Sequence, residues 1–245
     1  MDRLVYERMD EQEAVHWWFA ARRDLIGATI ERLIRLPDRP AILEAGCGTG
    51  GNLRMLASLG DLDAFEYDEA ARAIAETKAD VAVGHGALPD VIPFAPKRYD
   101  LIGLFDVLEH IEDDRATLNR LGERLAPDGR LFVTVPALPW LWSAHDERHH
   151  HFRRYTRRSL RRTAQEAGLA VQDCFYFNSL LLPVAVAMRA VKAALRSDSP
   201  DDTLPANWLN GALYRVFASE RHLVGRLPMP VGLSVCAILA PGPSR

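Results

Sequence analysis

Residues 42 to 51 read ILEAGCGTGG: an apolar run reaches the acid Glu44 and then turns through four glycines. A short apolar run closed by a turn signal fits a buried strand of a parallel sheet. Glycines after such a strand let the backbone turn tightly and lie against a ligand. In an open α/β sheet ligands gather at the carboxyl ends of the strands, where the next helix, here beginning near Asn52, presents unpaired N–H groups.

Glycine spacing alone leaves the ligand undecided. Gly46, Gly48 and Gly51 satisfy the G-x-G-x-x-G pattern of dinucleotide-binding folds, and Glu66 supplies the acid expected about 20 residues further on for ribose hydroxyls. The charge at Glu44 discriminates. A carboxylate at the strand tip repels a pyrophosphate and attracts the ammonium group of a cofactor such as S-adenosyl-L-methionine (SAM).

Four stretches then carry a family resemblance: EAGCGTG, the strand LDAFEYDEA ending in an acid, YDLIGLFDVLEHIEDD, and LAPDGRLFVTVPA. Over roughly residues 10 to 178 the chain resembles the class I SAM-dependent methyltransferases, a broad group that includes the ubiquinone-biosynthesis O-methyltransferases. The resemblance implies a Rossmann-like, doubly wound α/β sheet of seven strands, mostly parallel, with an antiparallel last strand and a helical insertion before it. It also implies that the methionine end of SAM lies over Gly46, Cys47 and Gly48, that Glu66 takes both ribose hydroxyls, and that Phe105 and Asp106 leave the sheet beside the sulfonium. An arginine of the helix before the first strand meets the cofactor carboxylate in such enzymes, and Arg22 is taken for it over Arg23. Where relatives carry a Gly-Asp pair for the adenine amino group, this chain has Gly84-His85-Gly86, which moves adenine recognition to backbone near Ala87 and Leu88. Tyr67 reads equally as an adenine platform and as a half-buried aromatic.

Composition sets outer bounds. With 245 residues, 48% hydrophobic and 26% charged, the chain is an ordinary globular one with a single large core. A net charge of −3 argues against general nucleic-acid binding. Cys47, Cys174 and Cys236 lack metal-ligand spacing, so reduced thiols in a cytoplasmic protein are expected. The charged start MDRLVYERMDEQEA does not read as a signal peptide, and no apolar run has the length of a membrane span.

In chain order, residues 10 to 35 read as one helix, forming with the start of the chain a helical cap over 1–40. A SAM-binding core follows over 41–178, with strands at 41–45, 62–66, 100–105, 131–135 and 171–177 and a PDGR turn at 127–130. Residues 179–232 are expected to insert as a lid at the cofactor edge, and 233–245 hold the final strand and tail.

The long loop from Pro136 to Tyr155, PALPWLWSAHDERHHHFRRY, is the expected acceptor site, since loops of this length are usually functional or disordered. Between residues 145 and 170 seven arginines face three acids, a local surplus of positive charge. Trp142, His151, Arg153, Arg154 and Tyr155 are taken as acceptor-binding, the arginines through a phosphate or carboxylate. His145 and His110 are the candidate bases, with Asp146 orienting His145. Adjacent histidines such as His149-His150-His151 rarely converge on one ion, so no metal is expected.

The function read from the chain is SAM-dependent methyl transfer to a small-molecule or lipid-linked acceptor. The alternatives are a nicotinamide-dependent oxidoreductase and a non-catalytic SAM-binding module. FNSLLLPVAVAMRAVKAALR, apolar first and basic at its far end, reads either as core or as a segment resting on the inner face of a membrane. Oligomeric state is left open.

Overall fold

The computed structural model describes residues 10–78, 80–195, 204–227 and 229–242; the side chains of His145, Ala190 and residues 192–195 lie outside that description, as do residues 196–203 of the SDSPDDT linker. A helical segment, α1 (residues 10–15), precedes α2 (Trp17–Leu33). The two are not the single helix expected. His16 between them is extended (φ −75°, ψ 130°) and caps α2, its Nδ1 accepting from the Trp18 N–H at 3.2 Å.

The strands are β1 (Ala41–Ala45), β2 (Asp61–Glu66), β3 (Val83–His85), β4 (Tyr99–Phe105), β5 (Leu125–Pro136), β6 (Leu169–Phe177) and β7 (Ser234–Pro241), with spatial order β3-β2-β1-β4-β5-β7-β6. Only β7 runs antiparallel to its neighbours, pairing Val135 with Val235 on one side and Tyr176 with Val235 on the other. The helices between them are α3 (Leu53–Ala57), α4 (Glu69–Ala75), α5 (Asp114–Gly122), α6 (Ala144–Arg148), α7 (Arg157–Glu166), α8 (Leu182–Leu195) and α9 (Asn207–Ser219). The PDGR segment is not a free turn. Chain continues through it as part of β5, and its extra length is absorbed where pairing to β4 slips between Tyr99 and Leu101.

Side chains alternate across a strand, so each strand feeds two cores. Leu43 and Ala45 of β1, Ile102 and Leu104 of β4, and Leu131 and Val133 of β5 face α5 and α7, meeting Leu118, Leu121, Leu160 and Ala164. Ile42, Leu101, Phe132 and Ile238 face the other way, against Leu25, Ile26 and Ile30 of α2 and Phe217 of α9. Burial on both faces explains why β1 and β4 read as unbroken apolar runs.

The insertion between β6 and β7 divides into two parts. Its second half is docked: Asn210 accepts from the Trp17 N–H (2.9 Å) and donates to Val15 O (2.8 Å), and Tyr214 and Arg221 both reach Asp24 (2.7 and 2.9 Å). Its first half, α8, shows an exposed stripe of Val184, Met188 and Val191 at helical spacing. Glu220 ties the two legs together. It is buried and accepts from the Ser179 and Leu180 N–H groups, each at 2.7 Å. Glu220→Ala should therefore cost about 1–3 kcal/mol of stability, read as a lower denaturation midpoint at unchanged m-value; an unaltered midpoint would show that the tie carries nothing.

Candidate functional site: the carboxyl edge of the sheet

At the end of β1 the chain folds back onto β2. Gly46 and Cys47 both donate to Phe65 O (2.9 and 3.0 Å), which forces positive φ at Gly46 (71°) and Gly48 (56°). A Cβ on Gly46 would lie 2.9 Å from Val107, whereas at Gly48 it would meet nothing within 4 Å, so the open face of the loop is at Gly48. Glu66 latches this loop. One carboxylate oxygen accepts from Gly48 N–H at 2.9 Å, and the other from Tyr67 and Asp68 N–H at 2.8 and 3.0 Å. A carboxylate held by three backbone donors has a fixed rotamer and retains lone pairs for a diol.

Around the loop lie buried polar atoms with no partner among the described residues: Arg22 Nε, Glu44 Oε2 and Thr49 Oγ1. Glu44 is 2% exposed and accepts from Asn52 Nδ2 at 2.8 Å through its other oxygen. Burial pushes its pKa up to about 8, and a cation brought against Oε2 would favour the charged form. A guanidinium edge, a carboxyl and a hydroxyl left unpartnered together fit the carboxylate and ammonium of an amino-acid moiety. All three atoms stand beside the glycine turn at the end of β1. The Cys47 thiol, in contrast, is pushed far up by burial and is inert.

Arg22 is otherwise fully committed. Its Nη2 lies 2.6 Å from Asp106 and 2.9 Å from Thr134 Oγ1, and its guanidinium stacks between Trp18 and Phe105 at 5.2 and 5.9 Å. Asp106, at positive φ (53°) past the end of β4, thus anchors Arg22 instead of standing alone beside a sulfonium. Arg23 instead donates to Glu13 O (2.8 Å), and Glu13 binds Lys78 at 2.7 Å, strapping α1 across Gly51. Nothing in the sequence pattern signalled Glu13, and Thr49 was visible only as a loop residue.

On the adenine side, Tyr67 is 70% exposed with its ring 6.0 Å from that of His85. Ala87 gives both its N–H and its C=O to Val91 (2.9 and 2.7 Å), so its N–H is spent and the backbone donor expected there has to come from Leu88 or beyond.

The 136–155 loop is held from within. Asp146, fully buried, accepts from Ser143 N–H (2.9 Å), Arg154 Nε (2.6 Å) and His151 Nδ1 (3.0 Å). Burial opposes its ionisation, but the bonds from His151 and Arg154 outweigh that and hold the carboxyl well below the usual range. Asp146 therefore orients His151, while the side chain of His145, the expected partner, lies outside the described residues. Two acceptor-binding assignments, Arg154 and Tyr155, need correction, while Arg153 stays partly exposed. Arg154 also donates to Ala137 O (3.2 Å) and is turned inward. Tyr155 is buried and gives its hydroxyl to Asp114 at 2.9 Å. Arg153 pairs with Asp114 (3.0 Å) and Glu112 O (2.7 Å). These side chains build the loop, and no sequence pattern shows which way a loop arginine turns. Trp142 is 39% exposed and stays at the surface with Trp140 and Phe152.

His110 and His151 meet edge to face at 4.6 Å, next to Glu109, which is 1% exposed with Oε2 unpartnered. Burial, then the charge of Asp106, raises the Glu109 pKa, while burial and His151 lower that of His110 to about 4.

Residues 18–173 match the family model described as a methyltransferase domain, and the chain belongs to that family. It is a class I domain with SAM as cofactor, which removes the nicotinamide reading of the glycine pattern. A chain of the complex between the Haloferax volcanii Trm112 methyltransferase activator and a methyltransferase superposes at a TM-score of 0.66 (16% identity, 99% of this chain, 96% of that one). Phosphoethanolamine N-methyltransferase 2 of Haemonchus contortus, in complex with SAM, gives 0.59 (14%, 88% and 51%), and a SAM-dependent methyltransferase of Clostridium acetobutylicum gives 0.58 (11%, 90% and 90%). An uncharacterized protein of a Synechococcus strain is 33% identical over 109 residues, 40% of this chain; the match spans about a quarter (26%) of that protein's length.

Two variants separate cofactor from loop. Glu66→Ala should weaken binding of S-adenosylhomocysteine by about 1.5–3 kcal/mol, roughly 10- to 150-fold by calorimetry; parental affinity would move the ribose elsewhere. Asp146→Asn leaves Arg154 buried without its charge partner and should cost about 3–5 kcal/mol near neutral pH. Because the folded carboxyl titrates below the unfolded one, this stabilisation is complete above about pH 4 and fades as pH falls further, so melts of parent and variant should converge in acid.

Proposed function

We propose that the chain transfers the methyl group of SAM to a hydrophobic acceptor with an anionic head, taken up at the carboxyl edge between the 136–155 loop and α8. The observation that carries it is the shared edge. Arg189 of α8 donates to Leu141 O, joining the helix with the Val184, Met188 and Val191 stripe to the loop that exposes Trp140, Trp142 and Phe152. Arg157 and Arg158, exposed at the start of α7, follow Tyr155, which bridges to Ala137 at the end of β5, so positive charge borders the apolar surface. With Arg154 turned inward, these two and the partly exposed Arg153 supply the anionic contact. On this reading α8 covers the acceptor and α9 acts as fixed wall.

SAM supplies an already activated methyl group; acceptor attack forms the new bond to its carbon as the carbon–sulfur bond breaks, leaving S-adenosylhomocysteine. The protein contributes position and dryness. Arg22, Glu44 and Glu66 fix one reactant through both its ends, and the apolar edge keeps water from the other. On the same reading the exposed apolar stripe of α8 and the arginines beside it meet the inner face of a membrane from the side; no helix among the described residues is long and apolar enough to cross one.

Methyl-labelled SAM incubated with the protein and a cell extract should place label in the lipid fraction. The protein should also float with anionic vesicles at low salt and be released at high salt. Label confined to polypeptide or to water-soluble products, with no flotation, would overturn the lipid-linked acceptor.

A further inference from the structure

Outside the cofactor loop, the densest group of ligating side chains is Glu109, His110 and His151. One ligand atom from each lies within 4.8 Å of the other two. We propose that these three residues form a binding site for one divalent ion of the zinc type. Two imidazoles and one carboxylate are a donor set suited to zinc, and three protein ligands leave a coordination position for an oxygen or nitrogen of a bound molecule.

Three observations support it. Glu109 is almost wholly buried, yet its Oε2 has no partner among the described residues, an arrangement that costs free energy unless a positive group sits against it. His151 is aimed by its Nδ1 contact with Asp146 (3.0 Å), the carboxylate–histidine arrangement that fixes a ligating ring in metal sites. The ligands come from separate segments held together by backbone, since Phe152 N–H donates to Glu109 O at 2.8 Å and keeps the histidine loop against the turn after β4. With metal–ligand bonds of about 2.1 Å, tetrahedral ligand atoms stand about 3.4 Å apart, so side-chain adjustments on the order of 1 Å close the site. The sequence expectation of no metal rested on three adjacent histidines failing to converge. Among the described residues His151 joins residues about 40 positions earlier, as backbone pairing between the segments permits.

Resting on the methyl-transfer reading, the ion would hold a heteroatom of the acceptor three residues beyond Asp106, next to the cofactor. The test uses tag-free full-length protein titrated with Zn²⁺ by calorimetry and with Co²⁺ by visible absorption, alongside S-adenosylhomocysteine in the same samples. One ion should bind per chain, with the absorption of a tetrahedral Co²⁺ site. Glu109→Gln and His151→Gln, each checked for folding by circular dichroism, should weaken it roughly tenfold or more, an effect as large as loss of even an outer-shell partner. His150→Asn, which tolerates the positive φ of 55° at that position, should leave it unchanged. If S-adenosylhomocysteine binds and neither ion does, the metal site is overturned while the cofactor reading stands. If the ions bind and S-adenosylhomocysteine does not, the metal site stands and the cofactor reading falls. Equal losses in His150→Asn and His151→Gln would also overturn the site, since the ion would then belong to the exposed loop histidines.

Discussion

The Arg22–Asp106 ion pair is the contact on which the carboxyl edge depends. It links α2 to the chain leaving β4, and through Thr134 to β5, so three elements meet at one guanidinium. Removing one member of such a buried pair typically costs 3–5 kcal/mol, because the other is left without compensation. Placement follows from the topology: α2 covers the face that receives Ile42, Leu101 and Phe132, and only an inward position near its start reaches the ends of β4 and β5 together. Trp18 and Phe105 close over the guanidinium and exclude water, which strengthens the pair.

From that pair, ionisable groups run on along the edge. Asp106 is followed by Glu109, which feels Asp106, Arg22 and Arg154, and Arg154 in turn holds Asp146. A loop of 20 residues cannot be kept in place by its few backbone bonds alone, and here buried carboxylates do the holding: Asp146 inside the loop, Asp114 at the start of α5 beneath it. This explains why a protein of net charge −3 concentrates arginine here. Two of those arginines, Arg153 and Arg154, are counter-ions of the acids that hold the loop, and Asp146 at the same time fixes His151.

How much of this could be read from the chain depended on the range of the interaction. The β1 strand, its glycine turn and Glu66 were legible because backbone geometry demands those residue types within a few positions. The fold was legible because strands buried on both faces have no polar positions to confuse the pattern. His16 splitting the first helix was not, since a histidine cap lacks the signature of serine or aspartate. Nor were the inward turns of Arg154 and Tyr155, whose partners Ala137 and Asp114 lie across a bridge that only the folded sheet creates or are distant in sequence.

The family match ends at residue 173, before α8 and α9 begin. The segment between β6 and β7 lies beyond the match, while the glycine turn and Glu66 lie inside it. Structures only 11–16% identical still share the sheet. The segment interrupts no strand, and Phe217 and Ala218 of α9 enter the core. Its docked half, α9, binds α2, the same helix that supplies Arg22, while α8 reaches the 136–155 loop through Arg189. One inserted segment thus touches both the helix that anchors the end of β4 and the loop that follows β5, so a change in it reaches both sides of the carboxyl edge.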